Sequence, residues 1–222
     1  MIPLRDTQPS HSVPLVTIAI IVVNTIVFLY QAMLDDYSLN HFIVSYGVVP
    51  DRLDPMTLVT SMFLHGGWLH LIGNMWFLWI FGDNIEDILG RWKYLLFYLA
   101  CGVAASLLHV VTNPYSRIPA VGASGAIAGV MGAYMLKFPH SRVLTLIFIF
   151  IFFTTIEVPA IILLGYWVLI QLFSGAASIG YSQASQGGVA FWAHVGGFGA
   201  GMLLIKMLPT KLPYRRRPEM HW

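Results

Sequence analysis

The sequence predicts an all-α fold, a polytopic membrane bundle of six crossing helices, and three observations carry that prediction. Of 222 residues, 57% are hydrophobic and only 10% charged, with a mean hydropathy of +0.72. An ordinary soluble domain carries about 25% charged residues, so a chain this poor in charge cannot cover a surface that faces water. The apolar residues also gather into segments near the ~20 residues that a helix needs to cross a bilayer. Finally, threading those segments through a membrane puts nearly all lysines and arginines on one side. The net charge of +2 is too small to point to nucleic acid as a partner. A single cysteine, Cys101 in an apolar segment, excludes an internal disulfide or a multi-cysteine metal site.

Taken in order, the first span covers residues 13–34 and contains no charged residue. It is too long for the apolar core of a signal peptide and lacks a convincing cleavage site. There is no Arg-rich, Ser-rich transit peptide and no extra leading span, which makes a prokaryotic plasma membrane the expected location. The second span, at 68–81, is short and closes at Gly82 and Asp83. The third covers 94–111. The fourth, 124–137, is too short for a full crossing. The stretch 143–156 is apolar and free of charge until Glu157 and Pro159 interrupt it. It reads as an interfacial or partly inserted connection, with the fifth span at 159–173. The sixth covers 189–208. No internal repeat is visible. The organisation is then a cytoplasmic tail at 1–12, a membrane domain at 13–208 and a basic cytoplasmic tail at 209–222.

Six spans put both termini on one side. With the N-terminus cytoplasmic, ten of the 12 basic residues lie inside: Arg5, Arg91, Lys93, Lys137, Arg142, Lys206, Lys211, Arg215, Arg216 and Arg217. Only Arg52 and Arg117 fall outside. The C-terminal run of arginines therefore reads as a topology anchor.

Topology then places polar residues by depth. Ser124 opens the fourth span at its outer end. His70 and Asn74 stand one turn apart on one face near the outer start of the second. His194 lies a few residues inside the outer end of the sixth. Polar and ionisable groups in membrane spans are costly and face the bundle interior or a water-filled cavity. Four at one level point to a site, and their chemistry fits nucleophilic catalysis. A serine hydroxyl needs a base, and His194 supplies an imidazole. The oxyanion needs donors, which the Ser124 backbone N–H at a helix start, the Asn74 amide and the His70 imidazole provide, with Gly122 placed in the same oxyanion-stabilising group. Gly122 and Gly125 remove side chains where a substrate backbone must approach. No carboxylate is placed to complete a triad, since Asp83, Glu86 and Asp87 sit at the inner end of the second span, so the reading is a Ser–His dyad. Gly125 and Gly129 on the fourth span, continued by Gly132, and Gly197 and Gly201 on the sixth form small-residue faces. Close packing of those faces brings Ser124 towards His194.

The motifs His65-Gly66-Gly67-Trp68-Leu69-His70-Leu71-Ile72-Gly73-Asn74, Gly122-Ala123-Ser124-Gly125 and Ala193-His194-Val195-Gly196-Gly197 resemble those of the rhomboid intramembrane serine proteases. They occur in the family's order, and the resemblance covers roughly residues 13–208. It implies a six-transmembrane-helix rhomboid-like bundle with Ser124 as nucleophile and His194 as general base. His70 and Asn74 would lie in the oxyanion region. The substrates it implies are membrane proteins cut in or near a transmembrane segment. They would enter laterally, past the fifth helix and the loop before the sixth. Residues 35–64 would lie partly in the outer leaflet, and Glu86 matches a structural position at the inner end of the second helix. Some members carry an aromatic residue four positions after the serine, packed on the catalytic histidine. That position is Ala128 here, so His194 must be packed by something else.

Bland readings exist for each residue taken alone: a helix cap for Ser124, interhelical hydrogen bonds for His194, His70 and Asn74. Their joint depth favours catalysis. For His65 a structural hydrogen bond near the membrane surface is expected, and for His109 an interfacial position. Other hydrolase chemistries fail on spacing. There is no HExxH zinc helix, and His65 and His70, five apart, do not share a helical face. Ala126 stands where a nucleophile elbow would have its second glycine. No paired intramembrane aspartates and no inverted repeat of a transporter appear. No cofactor and no metal is called for. The expected partners are transmembrane-protein substrates and the lipid bilayer, with the oligomeric state left open. The competing reading is a rhomboid-like scaffold that binds transmembrane helices without cutting them.

Overall fold

With lipid rather than water outside, each apolar run must satisfy its own backbone, and helices do so locally. The structure, a computed structural model, describes residues 2–149, 152–178 and 190–210. After a short strand, β1 (Ile2–Asp6), come α1 (Leu15–Met33), α2 (Asp36–Tyr46) and one turn of helix, α3 (Thr57–Thr60). Then follow α4 (Trp68–Leu89), α5 (Arg91–Thr112) and α6 (Ser124–Lys137). Strands β2 (Arg142–Ile149) and β3 (Phe152–Pro159) lead into α7 (Ala160–Ser178), and α8 (Phe191–Met207) closes the described chain. By length and composition α1, α5 and α7 are fit to cross a membrane.

The bundle is built around α6. Residues 125–134 are all buried, because glycine and alanine let α5 and α8 approach its backbone. Gly197 of α8 lies against the Gly125 carbonyl and Gly201 against the Gly129 carbonyl, so closely that a Cβ on either would overlap backbone. Around this seam Leu78, Phe81, Tyr94, Tyr98, Cys101, Met131, Leu164 and Ile205 form a continuous core. The outer surface is apolar: Ile26, Leu96, Ile162, Phe173 and Leu203 are all exposed. Polar Thr17, Asn24 and Gln31 of α1 are instead buried. That inversion of the soluble pattern, together with the helices long and apolar enough to cross, makes this an integral membrane protein.

Three features depart from the sequence reading. The helix expected to close at Gly82 continues two turns to Leu89. Its polar end is used internally: the Glu86 carboxylate accepts the N–H groups of Val16 (2.9 Å) and Thr17 (2.8 Å) in the first turn of α1. Those N–H groups have no intrahelical acceptor, and a buried anion at a helix N-terminus satisfies them. Gly90, with φ of +77°, then makes the sharp turn into α5.

The all-α expectation also omits a three-stranded antiparallel sheet ordered β1-β2-β3, in which the stretch read as an interfacial connection supplies β2 and β3 and the N-terminal segment supplies β1. Val143 pairs with Val158 and Thr145 with Ile156, while Asp6 pairs with Val143. Val143 and Thr145 are fully buried and Leu144 between them is not, the period-2 pattern of a strand. Finally, residues 2–12, read as a tail, lie on the bundle. Trp76 Nε1 donates to the Pro3 carbonyl (2.6 Å), the Tyr134 hydroxyl bonds Asp6, and the Ser12 hydroxyl donates to Asp87 (2.6 Å). The basic tail with Lys211 and Arg215 to Arg217, and the loop before α8, lie outside the described residues.

Candidate active site

Ser124 is the first residue of α6, and the chain reaches it through Gly122, whose φ of +126° is one that side chains disfavour. The Gly122 N–H donates to the Ser61 carbonyl (2.9 Å), which pins this turn to the segment before α4. Gly122 is therefore not a free donor; what it offers is the missing side chain. The N–H groups of the first turn of α6, beginning with Ser124, have no intrahelical acceptor.

The seam between α6 and α8 brings His194 to Ser124, with Nε2 2.8 Å from Oγ. The other ring nitrogen, Nδ1, lies 2.8 Å from Oε1 of Gln171 on α7. Trp167, one turn before Gln171, lays its indole 5.5 Å from the imidazole, centroid to centroid, and also packs on Phe198. The aromatic support that Ala128 cannot give thus comes from α7.

On the opposite side, α4 brings His70 and Asn74 to Gly122. A Cβ at Gly122 would stand 2.8 Å from His70 Nε2 and 3.6 Å from Asn74 Nδ2. The Gly66 N–H donates to His70 Nδ1 (3.3 Å), which leaves the proton of a neutral imidazole on Nε2, facing Gly122. Asn74, 8% exposed, spends one amide proton on His65 Nε2 (3.0 Å) and keeps a second. His65 is held in turn through its backbone, where its N–H donates to Gln31 Oε1 (3.0 Å) and its carbonyl accepts from Gln31 Nε2 (3.2 Å). His65 thus touches Asn74 and packs on the His70 ring.

The structure therefore brings Ser124 and His194 together, and His70 and Asn74 together beside Gly122. Three neighbours were missed by sequence reasoning. Gln171 is the amide of the fifth span, at a depth matching the other polar groups, and that signal was available. Trp167 looks like any belt tryptophan. His109, expected at the interface, lines a cavity of about 30 Å³ with Ser61, Ser106, Gly122 and Ser124. That volume admits a water molecule. Among the described residues no group of His, Cys, Asp and Glu is arranged to hold a metal.

Comparison with known proteins gives a match of residues 52–211 to the rhomboid domain family. Rhomboid protein 1, mitochondrial, of Saccharomyces cerevisiae is 30% identical over 156 residues, 67% of this chain and 40% of the yeast protein. Rhomboid protease GluP of Bacillus subtilis is 36% identical over 123 residues, 55% of this chain and 23% of its own length. Rhomboid-like protein 11, chloroplastic, of Arabidopsis thaliana is 30% identical over 161 residues, 70% of this chain and 52% of its own length. The chain thus spans from about a quarter to about half of these relatives. Their names include mitochondrial and chloroplastic proteins, so the relatives do not single out the prokaryotic membrane expected above.

Proposed function

The chain belongs to the rhomboid family, and from that membership and the 2.8 Å approach of His194 Nε2 to Ser124 Oγ we propose that it is an intramembrane serine endopeptidase. Its substrates are membrane proteins, cut in or near a transmembrane segment. The scissile stretch must unwind first, because an intact helix hides its carbonyls in its own hydrogen bonds. Ser124 Oγ attacks the carbonyl carbon as His194 Nε2 takes the hydroxyl proton. The oxyanion is held by the Ser124 N–H, the second amide proton of Asn74 and the Nε2–H of His70. His194 passes its proton to the leaving amine, then activates a water that deacylates the serine. The small cavity beside Ser124 has room for that water. The reading carries six crossings, α1 and α4 to α8, with both termini on the side that holds most of the basic residues, the cytoplasmic side.

The dyad geometry carries the proposal, and a fluorophosphonate tests it. The wild type should form an adduct on Ser124, located by mass spectrometry, and His194→Ala should not. A scaffold that binds helices without cutting them would leave Ser124 unlabelled, and equal labelling of both proteins would remove His194 as the base.

A further inference from the structure

A dyad histidine must keep one nitrogen bare and aimed at the serine, and the sequence offers no carboxylate to arrange that. We propose that Gln171 is the positioning residue for His194. Its side-chain carbonyl fixes the imidazole tautomer in which Nε2 is unprotonated towards Ser124. The proposal deepens the protease reading above and rests on it for its kinetic arm.

An amide carbonyl oxygen only accepts. With Gln171 Oε1 2.8 Å from Nδ1, the ring proton of neutral His194 sits on Nδ1 and is donated to Gln171. Nε2 is then the acceptor, and the Ser124 hydroxyl donates to it across 2.8 Å. The opposite amide orientation would place an N–H on Nδ1 and force the ring proton onto Nε2. Nε2–H would then donate to Oγ, and the serine would have no base. Tautomer choice by the partner of the remote nitrogen is a general property of histidine.

The surroundings hold Gln171 to this task. It is 8% exposed, so its carbonyl does not exchange partners freely with water. Trp167 and Gln171, four residues apart, share one face of α7, and that face meets the His194 end of α8. The indole fixes the ring plane and the amide fixes the proton. A neutral acceptor also suits an apolar bundle, where an unpaired carboxylate would be costly. As Ser124 attacks, its proton moves to Nε2, the new O–C bond forms and the carbonyl electron pair moves onto oxygen. The Nδ1–H bond to Gln171 persists through that step and supports the imidazolium.

The test uses Gln171→Leu, which keeps bulk but lacks an acceptor, and Gln171→Glu, which keeps an acceptor. Gln171→Leu should lower kcat about 10- to 100-fold with KM within about two-fold of wild type, while Gln171→Glu keeps most of kcat. Equal kcat in wild type and Gln171→Leu, or equal losses in both variants, would overturn the proposal. A second readout does not depend on proteolysis: nitrogen NMR of 15N-histidine-labelled protein in micelles, with the His194 signals identified by their loss in His194→Ala. Wild type should show a protonated Nδ1 and a bare Nε2, and Gln171→Leu should lose that preference. A wild-type spectrum with the proton on Nε2 would overturn the proposal even in an active enzyme. The expected spectrum in a protein that cuts nothing would leave Gln171 in place and remove the protease reading instead.

Discussion

Replacing Gly197 with alanine separates two effects that ordinarily run together. In a helix interior alanine is favoured over glycine by about 1 kcal/mol, so propensity alone predicts a more stable protein. The seam predicts the reverse. A Cβ at Gly197 would overlap the Gly125 carbonyl, and both the oxygen and its carbon are rigid backbone. Restoring van der Waals contact at about 3.5 Å needs the α6 and α8 backbones to part by roughly 1.5 Å. His194 is three residues from Gly197 and moves with it. Its 2.8 Å approach to Ser124 would open to roughly 4 Å or more, beyond hydrogen-bond range. Misplacement of that size costs about 100-fold in rate, and overpacking costs ~1–3 kcal/mol in stability. Gly199 is the internal control: it lies on the same helix, and a Cβ there meets nothing within 4 Å. The assay is thermal unfolding in detergent alongside cleavage of a reconstituted transmembrane substrate. Gly199→Ala should match or exceed wild-type stability and keep full activity, while Gly197→Ala loses both. Indistinguishable behaviour of the two variants would refute the argument that backbone contact at this seam sets the dyad.

Asn74→Ala should lower kcat about 10- to 1000-fold in the same assay, the range for loss of one oxyanion donor, and unchanged activity would remove it from that role. Glu86→Ala strands two N–H groups of α1 that the carboxylate now accepts. It should cost ~2–4 kcal/mol in unfolding experiments, with the labelling of Ser124 in the surviving folded fraction unchanged. Burial raises the Asp6 carboxyl from the ordinary 3.8 to about 6, despite the hydrogen bond from Tyr134. The folded state therefore keeps a proton that the unfolded chain has lost, so stability falls as pH rises from about 4 to about 6 and stays lower above. Asp6→Asn should add on the order of 2 kcal/mol at pH 8 and nothing at pH 4, read from unfolding midpoints; an unchanged pH dependence would contradict it.

Much of the site is legible because the bilayer orders the sequence by depth. Once the spans and their orientation are set, Ser124, His194, His70 and Asn74 fall at one level, and the glycines of the fourth and sixth spans give a reason for their helices to touch. What depth cannot give is direction. Gln171 shares that level, yet an amide has no charge to draw attention. Only the helix packing shows that its carbonyl faces Nδ1 of His194. Trp167 likewise reads as a belt residue until its ring is seen on the imidazole. The long extension of α4 past Gly82 is hidden from hydropathy because Asp83, Glu86 and Asp87 end the apolar run. Only the rhomboid resemblance gives Glu86 a structural place at the helix end, where it is 2% exposed and caps a neighbouring helix. The sheet is hidden because hydropathy does not distinguish a strand from a helix in a short apolar run. The alternation around Val143 and Thr145 carries that information, and a partner strand from residues 2–6 completes it.

The most direct test of the central claim is cleavage in liposomes. Wild type, Ser124→Ala and His194→Ala would each be reconstituted with a transmembrane substrate carrying a helix-destabilising segment, and the products identified by mass spectrometry. The account predicts one defined cut by wild type and none by either variant. Binding of the substrate helix by wild type without cleavage, across a broad panel of such segments, would contradict it and leave the scaffold reading standing.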